Sequence, residues 1–434
     1  SSDSFGETVA LSADGNTLAI GAWGEDSNAS GINGNQNNDD GTANASGAVY
    51  VFVRSDGSWV QQAYIKASNN GSDDNFGRKL ALSADGNTLA VGAEGEDSSA
   101  TGINGDGTIN DTNTWGSGAA YVFIRNTGAW SQQAYIKASN TGKYDRFGNS
   151  LALSADGNTL AVGANFEGDY SGAMYVFTRT GITWTEQAYI KASNAETGDY
   201  FGWSVSLSND GNTLAIGAIS EAGNGSDQSN NDASGAGAVY VFTRIASSWT
   251  QQAYIKASTA EIEDSFGSSL DLSADGNTLA VGADGEDSNA TGVNGNQSDN
   301  TATDSGAVYV FMRSAGVWTQ QSYIKASNAE SGDSIGSRVS LSDDGNILAI
   351  GAWAEDSNAI GIGGDQSNND TSSAGAAYLF TRVNTSWSFQ TYVKPITAVV
   401  NTIFGSSLAL SAEGDVLVVG ARGKDIYAGA VYVY

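Results

Sequence analysis

An eighteen-residue segment, FGRKLALSADGNTLAVGA at Phe76–Ala93, recurs along the whole chain and dictates its architecture. Lightly altered copies stand at Phe5–Ala22, Phe147–Ala164, Phe201–Ala218, Phe266–Ala283, Ile335–Ala352 and Phe404–Ala421. A fixed unit repeated from end to end calls for a fold built by stacking one supersecondary element. Within a copy LALS alternates as a strand does, Asp85-Gly86-Asn87 is a tight-turn signal, and TLAVGA reads as a second strand. Each copy therefore predicts a β-hairpin. No run carries a helical period.

Two more strands follow each hairpin. The third is GAVYVFVR at Gly47–Arg54 and its equivalents, the last being Gly429–Tyr434; the fourth is WVQQAYIKAS at Trp59–Ser68, with counterparts starting at Trp130, Trp184, Trp249, Trp318 and Trp387. The reading is all-β: one seven-bladed β-propeller of four-stranded antiparallel blades over residues 1–434. The repeats run over about 1–70, 71–141, 142–195, 196–260, 261–329, 330–398 and 399–434. Only six fourth strands can be counted, so blade 7 is expected to lack its outer strand in this chain. Flanking residues or a neighbouring subunit would complete it, and self-assembly through that open edge is one expectation.

Length variation concentrates between the second and third strands. Blades 1, 2, 5 and 6 carry long insertions there, such as Trp23–Ser46; blade 4 has a medium one, and blades 3 and 7 are short. Strand directions alternate, so these loops and the fourth-to-first connections share one face. Function is expected on that face.

Composition narrows the partners. A net charge of −29 excludes nucleic acid and anionic membrane surfaces as binding partners, since both require Lys and Arg. The acid suits a soluble extracellular protein, and it also suits Ca²⁺, which prefers oxygen ligands. Without Cys there is no disulfide or thiol chemistry, and without His the usual general base is missing. The chain does not begin with Met and holds no signal peptide or apolar stretch of roughly 18 residues, so any export signal or anchor is expected elsewhere and no membrane insertion is expected.

The Phe-Gly, Gly-Ala and Gly-Ala-Val-Tyr-Val-Phe pattern resembles the FG-GAP repeats of the integrin α-subunit propeller, and more closely their bacterial relatives. The resemblance implies a seven-bladed propeller used in adhesion or partner recognition. It departs at one place. The calcium loop that such repeats carry between their first two strands has shrunk here to Ala13-Asp14-Gly15-Asn16-Thr17 and equivalents, so that site does not carry over. These Asp residues read as turn residues.

Two other acidic series recur on the decorated face. One precedes Phe-Gly by two residues, as Asp3, Asp74, Asp145, Asp199, Asp264 and Asp333; the other follows Gly-Ala, as Glu25, Glu96, Glu167, Glu221, Glu286 and Glu355. Asp26, Asp97, Asp287 and Asp356 adjoin the second series in the long-loop blades. In blades 1, 2, 5 and 6 these carboxylates are candidate ligands for Ca²⁺. The alternative is pairing with the Lys that ends each fourth strand, at Lys66, Lys137, Lys191, Lys256, Lys325 and Lys394, or turn-forming bonds to backbone N–H groups. Twelve of the nineteen basic residues occupy fixed repeat positions, as these Lys and as third-strand Arg, which reads as scaffold.

Candidate partner contacts are Trp23, Trp115 and Trp353 with Asp39, Asp40, Asp299 and Asp370. The repeated acids are spread symmetrically, unlike a catalytic centre, so no enzyme activity is expected. The leading expectation is an extracellular or cell-surface module that binds a protein or glycan through Ca²⁺-stabilised loops. A structural subunit of a fibre or surface layer is the alternative, and a carbohydrate binder or polysaccharide lyase comes third.

Overall fold

The computed structural model describes residues 2–37, 42–108, 113–225 and 227–434. Blade 2 shows the unit: antiparallel strands Lys79–Leu82, Thr88–Ala93, Ala119–Asn126 and Ala129–Ile136, paired in sequence order. Six sheets have this four-stranded form. Blade 7 has three strands, Phe404–Leu410, Leu417–Ala421 and Ala430–Val433. First strands of successive blades pack side by side, and blade 7 returns to blade 1. The ring is closed.

Closure is visible in the backbone. The hairpin turns of the seven blades are joined head to tail by hydrogen bonds of 2.9–3.0 Å: Ala13 N–H to Ala84, Ala84 to Ala155, then Asn209, Ala274, Asp343, Ala412 and back to Ala13. Each turn also satisfies itself. Ser12 Oγ donates to Asp14 Oδ1 at 2.6 Å while Asn16 N–H donates to the same oxygen at 3.0 Å. Burial alone would raise the Asp14 carboxyl, but these bonds outweigh it and hold it below its ordinary value.

The Phe-Gly and Gly-Ala signatures are explained by contact between neighbouring blades. Gly92 lies so close to the Gly148 carbonyl of blade 3 that a Cβ there would sit 2.2 Å from that oxygen. The same approach recurs from Gly21 to Gly77 and, across the closure, from Gly420 to Gly6. Gly148 itself has φ +94°, a conformation that glycine adopts at little cost. All six residues of each complete TLA(V/I)GA strand of blades 1–5 are buried, because both of its faces pack against other blades.

Outside this inner ring the third-strand arginines join blades. Arg125 donates to Asn87 of its own blade at 2.9 Å and to Gln62 and Thr17 of blade 1 at 3.2 Å, and its guanidinium lies 5.5 Å from the Trp130 ring centre. Trp130 Nε1 donates to the same Gln62 oxygen at 2.9 Å. Arg179, Arg244, Arg313 and Arg382 repeat the arrangement. The hairpin turns ring one face, so the second-to-third-strand loops gather on the other.

Candidate functional site: the loop face and the ring axis

Strand four carries Tyr and Lys on one side, two residues apart, and the chain leaves strand two with a Glu opposite them. In blade 2 the Glu96 carboxylate accepts from Lys137 Nζ at 2.6 Å and from Tyr135 Oη at 2.7 Å, while Lys137 also donates to Ser117 Oγ at 2.7 Å. Every four-stranded blade repeats the ion pair: Glu25–Lys66, Glu167–Lys191, Glu221–Lys256, Glu286–Lys325 and Glu355–Lys394, with N–O distances of 2.6–2.9 Å. Lys66, Lys137, Lys325 and Lys394 are fully buried. Burial pushes each of these ammonium groups down, and the facing Glu opposes that shift.

The remaining repeated acids close turns. Asp74 Oδ2 accepts from Gly71 N–H at 2.6 Å, Asp264 from Glu261 at 2.8 Å, and Asp333 from Glu330 at 2.9 Å. Burial, aided by the neighbouring Glu, pushes these three carboxyls up to about 7. Asp3 has one buried carboxyl oxygen without a hydrogen-bond partner. Asp26, Asp97, Asp287 and Asp356 each clamp the far end of their own loop, accepting from Ala45, Gly116, Asp304 and Ser373 N–H at 2.7–2.8 Å.

This donor set does not fit a hard cation. The Glu oxygens of blades 1, 2, 5 and 6 already face an ammonium and a phenol, the adjacent Asp face backbone donors, and among the described residues no three acids gather as metal ligands. At Glu25, Asp26, Asp74, Glu96, Asp97, Asp264, Glu286, Asp287, Asp333, Glu355 and Asp356, where calcium was expected, the protein's own donors already face the carboxylates, whereas Asp3 keeps one oxygen without a partner. The physical reason is proximity: a strand-four Lys reaches the carboxylate from within the same sheet.

The long loops are built against their own blades. In blade 1 the loop runs back along strand four, where Asn33 N–H donates to the Tyr64 carbonyl at 2.7 Å and Tyr64 N–H donates to Asn33 Oδ1 at 3.0 Å. Ile32, Ile103, Val293 and Ile362 make the matching bridge to strand four in blades 1, 2, 5 and 6. Each of these outer edges is thus covered by its own insertion. The recurrent Gly-Ile-Asn-Gly inside the insertions, with Gly-Val-Asn-Gly in blade 5 and Gly-Ile-Gly-Gly in blade 6, was the available signal, and it reads as a strand-edge motif only once strand four is seen beside it.

The predicted contact residues scatter over this face. Trp115 is 48 % exposed, with Lys143 Nζ 5.2 Å from its ring centre. Asp299 and Asp370 are exposed on their loops. Trp23 lies under the Arg78 guanidinium at 5.4 Å, and Trp353 is half-buried. Asp39 and Asp40 lie outside the described residues.

Sequence reasoning missed the ring axis. A cavity of about 350 Å³ there is walled by all seven blades, chiefly by the residues directly after each Phe-Gly, among them Glu7, Arg78, Lys79, Asn149 and Trp203. These are the positions of the first strand at which the copies differ most, and that was the signal.

An FG-GAP repeat family model matches residues 59–123, 130–177, 184–242, 249–311 and 318–380. The chain has no match among curated proteins. Among solved structures it is similar to a Bacteroides uniformis protein named for 6-phosphogluconolactonase, at 13 % identity and a TM-score of 0.53, over 91 % of this chain and 87 % of that one. At that identity the likeness concerns the fold alone. With the repeat model covering well over half of its length, this chain belongs to the FG-GAP repeat family.

Proposed function

We propose that this propeller is a non-catalytic binding module, acting outside the cell or at its surface, whose long loops receive a protein or glycan. One observation carries the reading: four long insertions share a face, and each is held by its own clamp and strand-edge bridge. Loops ordered before binding lose less entropy on association. Their exposed Asp299 and Asp370 favour a partner with a basic patch, and exposed Trp115 adds an aromatic contact. The test is binding of the labelled protein to intact bacterial cells and to a glycan array. Saturable binding that weakens with salt and drops at least fivefold in Trp115→Ala with Asp299→Asn supports the reading. Absence of saturable binding to both surfaces overturns it.

A second reading rests on blade 7. Among the described residues nothing pairs with the outer edge of Ala430–Val433. Arg54 faces that gap: its side chain is exposed and has no hydrogen-bond partner among the described residues, whereas its five counterparts each reach a strand-four Gln of the preceding blade. A second copy pairing through the same open edge would build an assembly. Solution mass that stays monomeric across concentration would retire this second reading.

A further inference from the structure

Only seven of the nineteen Lys and Arg residues lie outside the repeated positions, and five of them line the axial cavity: Arg78, Lys79, Arg146, Arg338 and Arg422. In a chain of net charge −29 this is a local reversal of sign. Three carboxylates face them. Glu7 holds Arg422 Nη1 at 3.0 and 3.2 Å, and Glu94 holds Arg78 Nη1 at 2.7 Å while accepting from the Asn149 amide at 2.6 Å. Asp284 acts on Arg338 from a distance, and burial pushes its carboxyl up.

Those pairs leave cations over. Arg146 stacks on the Phe166 ring at 4.1 Å and makes no ion pair among the described residues. Among the described residues Arg338 donates only to the Ser337 carbonyl, at 2.6 Å, and Lys79 has no hydrogen-bond or ion-pair partner. Burial, with the Arg338 guanidinium adding to it, pushes the Lys79 ammonium down to about 8. Three wall hydroxyls are already engaged, since Ser150, Ser204 and Ser269 donate to the Phe-Gly or Ile-Gly glycine carbonyl of the next blade at 2.6–2.7 Å, while the buried Ser268 hydroxyl is left without a partner among the described residues.

We propose that the axial cavity binds a compact oxyanion carrying at least two negative charges, a phosphate or a small polycarboxylate, held between Lys79 of blade 2 and Arg338 of blade 6. Two cations on opposite sides of a protein-walled space repel each other, and an anion between them turns repulsion into two charge-assisted hydrogen bonds. Arg supplies a planar fork suited to a carboxylate or phosphate edge, and Lys a point charge. The acidic exterior opposes approach only within a Debye length of about 8 Å at physiological ionic strength, so a small anion passes where a polyanion is repelled. A cavity of about 350 Å³ sets the size limit.

Thermal melting in inorganic phosphate or citrate, against chloride at matched ionic strength, tests this. At 10 mM either anion is expected to raise Tm by about 3 °C, the shift that a hundredfold excess over Kd gives in a chain of this size. Lys79→Met with Arg338→Met removes two unpaired like charges and is expected to abolish the shift; either single variant serves should the pair not fold. Lys143→Met, away from the axis, keeps it. Broadening of the phosphate ³¹P signal by the unaltered protein gives an independent readout, and citrate should reverse it. A rise with phosphate alone selects a phosphoryl ligand, and a rise with citrate alone selects a polycarboxylate. The proposal is overturned by no shift with either anion together with no broadening, or by a shift that survives in the variants.

Discussion

Lys137 and Lys79 belong to the same blade, and burial lowers the pKa of both, yet their surroundings are opposite. Lys137 has a carboxylate at 2.6 Å and a serine hydroxyl at 2.7 Å. Lys79 faces a cavity and a guanidinium. The first position is copied in six blades and completes an internal fastener; the second is basic in only two, at Lys79 and Arg338, and among the described residues no side chain bonds to Lys79. In a symmetric ring, repetition marks what holds the fold together, and departures from repetition mark where a ligand has room to act.

The comparison is broken most forcefully at Lys137. Lys137→Met leaves Glu96 buried beside no cation, and is expected to cost about 3–5 kcal/mol, read as a lower midpoint in chemical denaturation. Adding Glu96→Gln should recover most of that loss. A double variant as unstable as the single one would show that the lysine acts through packing, not charge.

A smaller effect tests the inner ring itself. Gly92→Ala drives a methyl group to 2.2 Å from the Gly148 carbonyl, so the two blades must separate. The expected loss is about 1–3 kcal/mol, the range for overpacking. An unchanged melting temperature would mean that the Phe-Gly and Gly-Ala approach is not tight.

Acidity sharpens the picture further. Asp74, Asp264 and Asp333 hold their protons to about 7, and Asp145 and Asp199 to about 6, all above the ordinary aspartate value. Between about pH 4 and 7 the folded chain therefore binds more protons than the unfolded one, and stability falls as pH rises through that window. Below it the turn Asp such as Asp14 and Asp85, held low by their hydrogen bonds, lose their contribution as they protonate. Melting temperature should peak near pH 4–5, by this order-of-magnitude argument, and decline toward pH 8. A profile that rises steadily to pH 8 would contradict these assignments.

Much of the fold was legible in the sequence because it is periodic. Six Phe-Gly…Gly-Ala copies and one Ile-Gly copy set blade number, strand order and the loop face, and the missing seventh fourth strand announced the three-stranded blade 7. The role of Glu96 was legible only as a choice between a cation and Lys137, since periodicity places both on one face without giving their separation. The axial cavity was harder to see. Arg338 stands far from Arg78 and Lys79 in sequence and meets them only because ring closure brings the starts of the first strands together. Clamps such as Asp97 to Gly116 N–H join residues 19 apart in sequence, a separation over which no local pattern operates.

The most direct measurement is a pair of denaturation curves, Lys79→Met beside Lys137→Met, in buffer free of phosphate and polycarboxylate. The account predicts that Lys79→Met is neutral or slightly stabilising, within about 1 kcal/mol, because it removes a half-buried charge with no partner among the described residues, while Lys137→Met falls well below the unaltered protein. Equal losses from the two substitutions would contradict it.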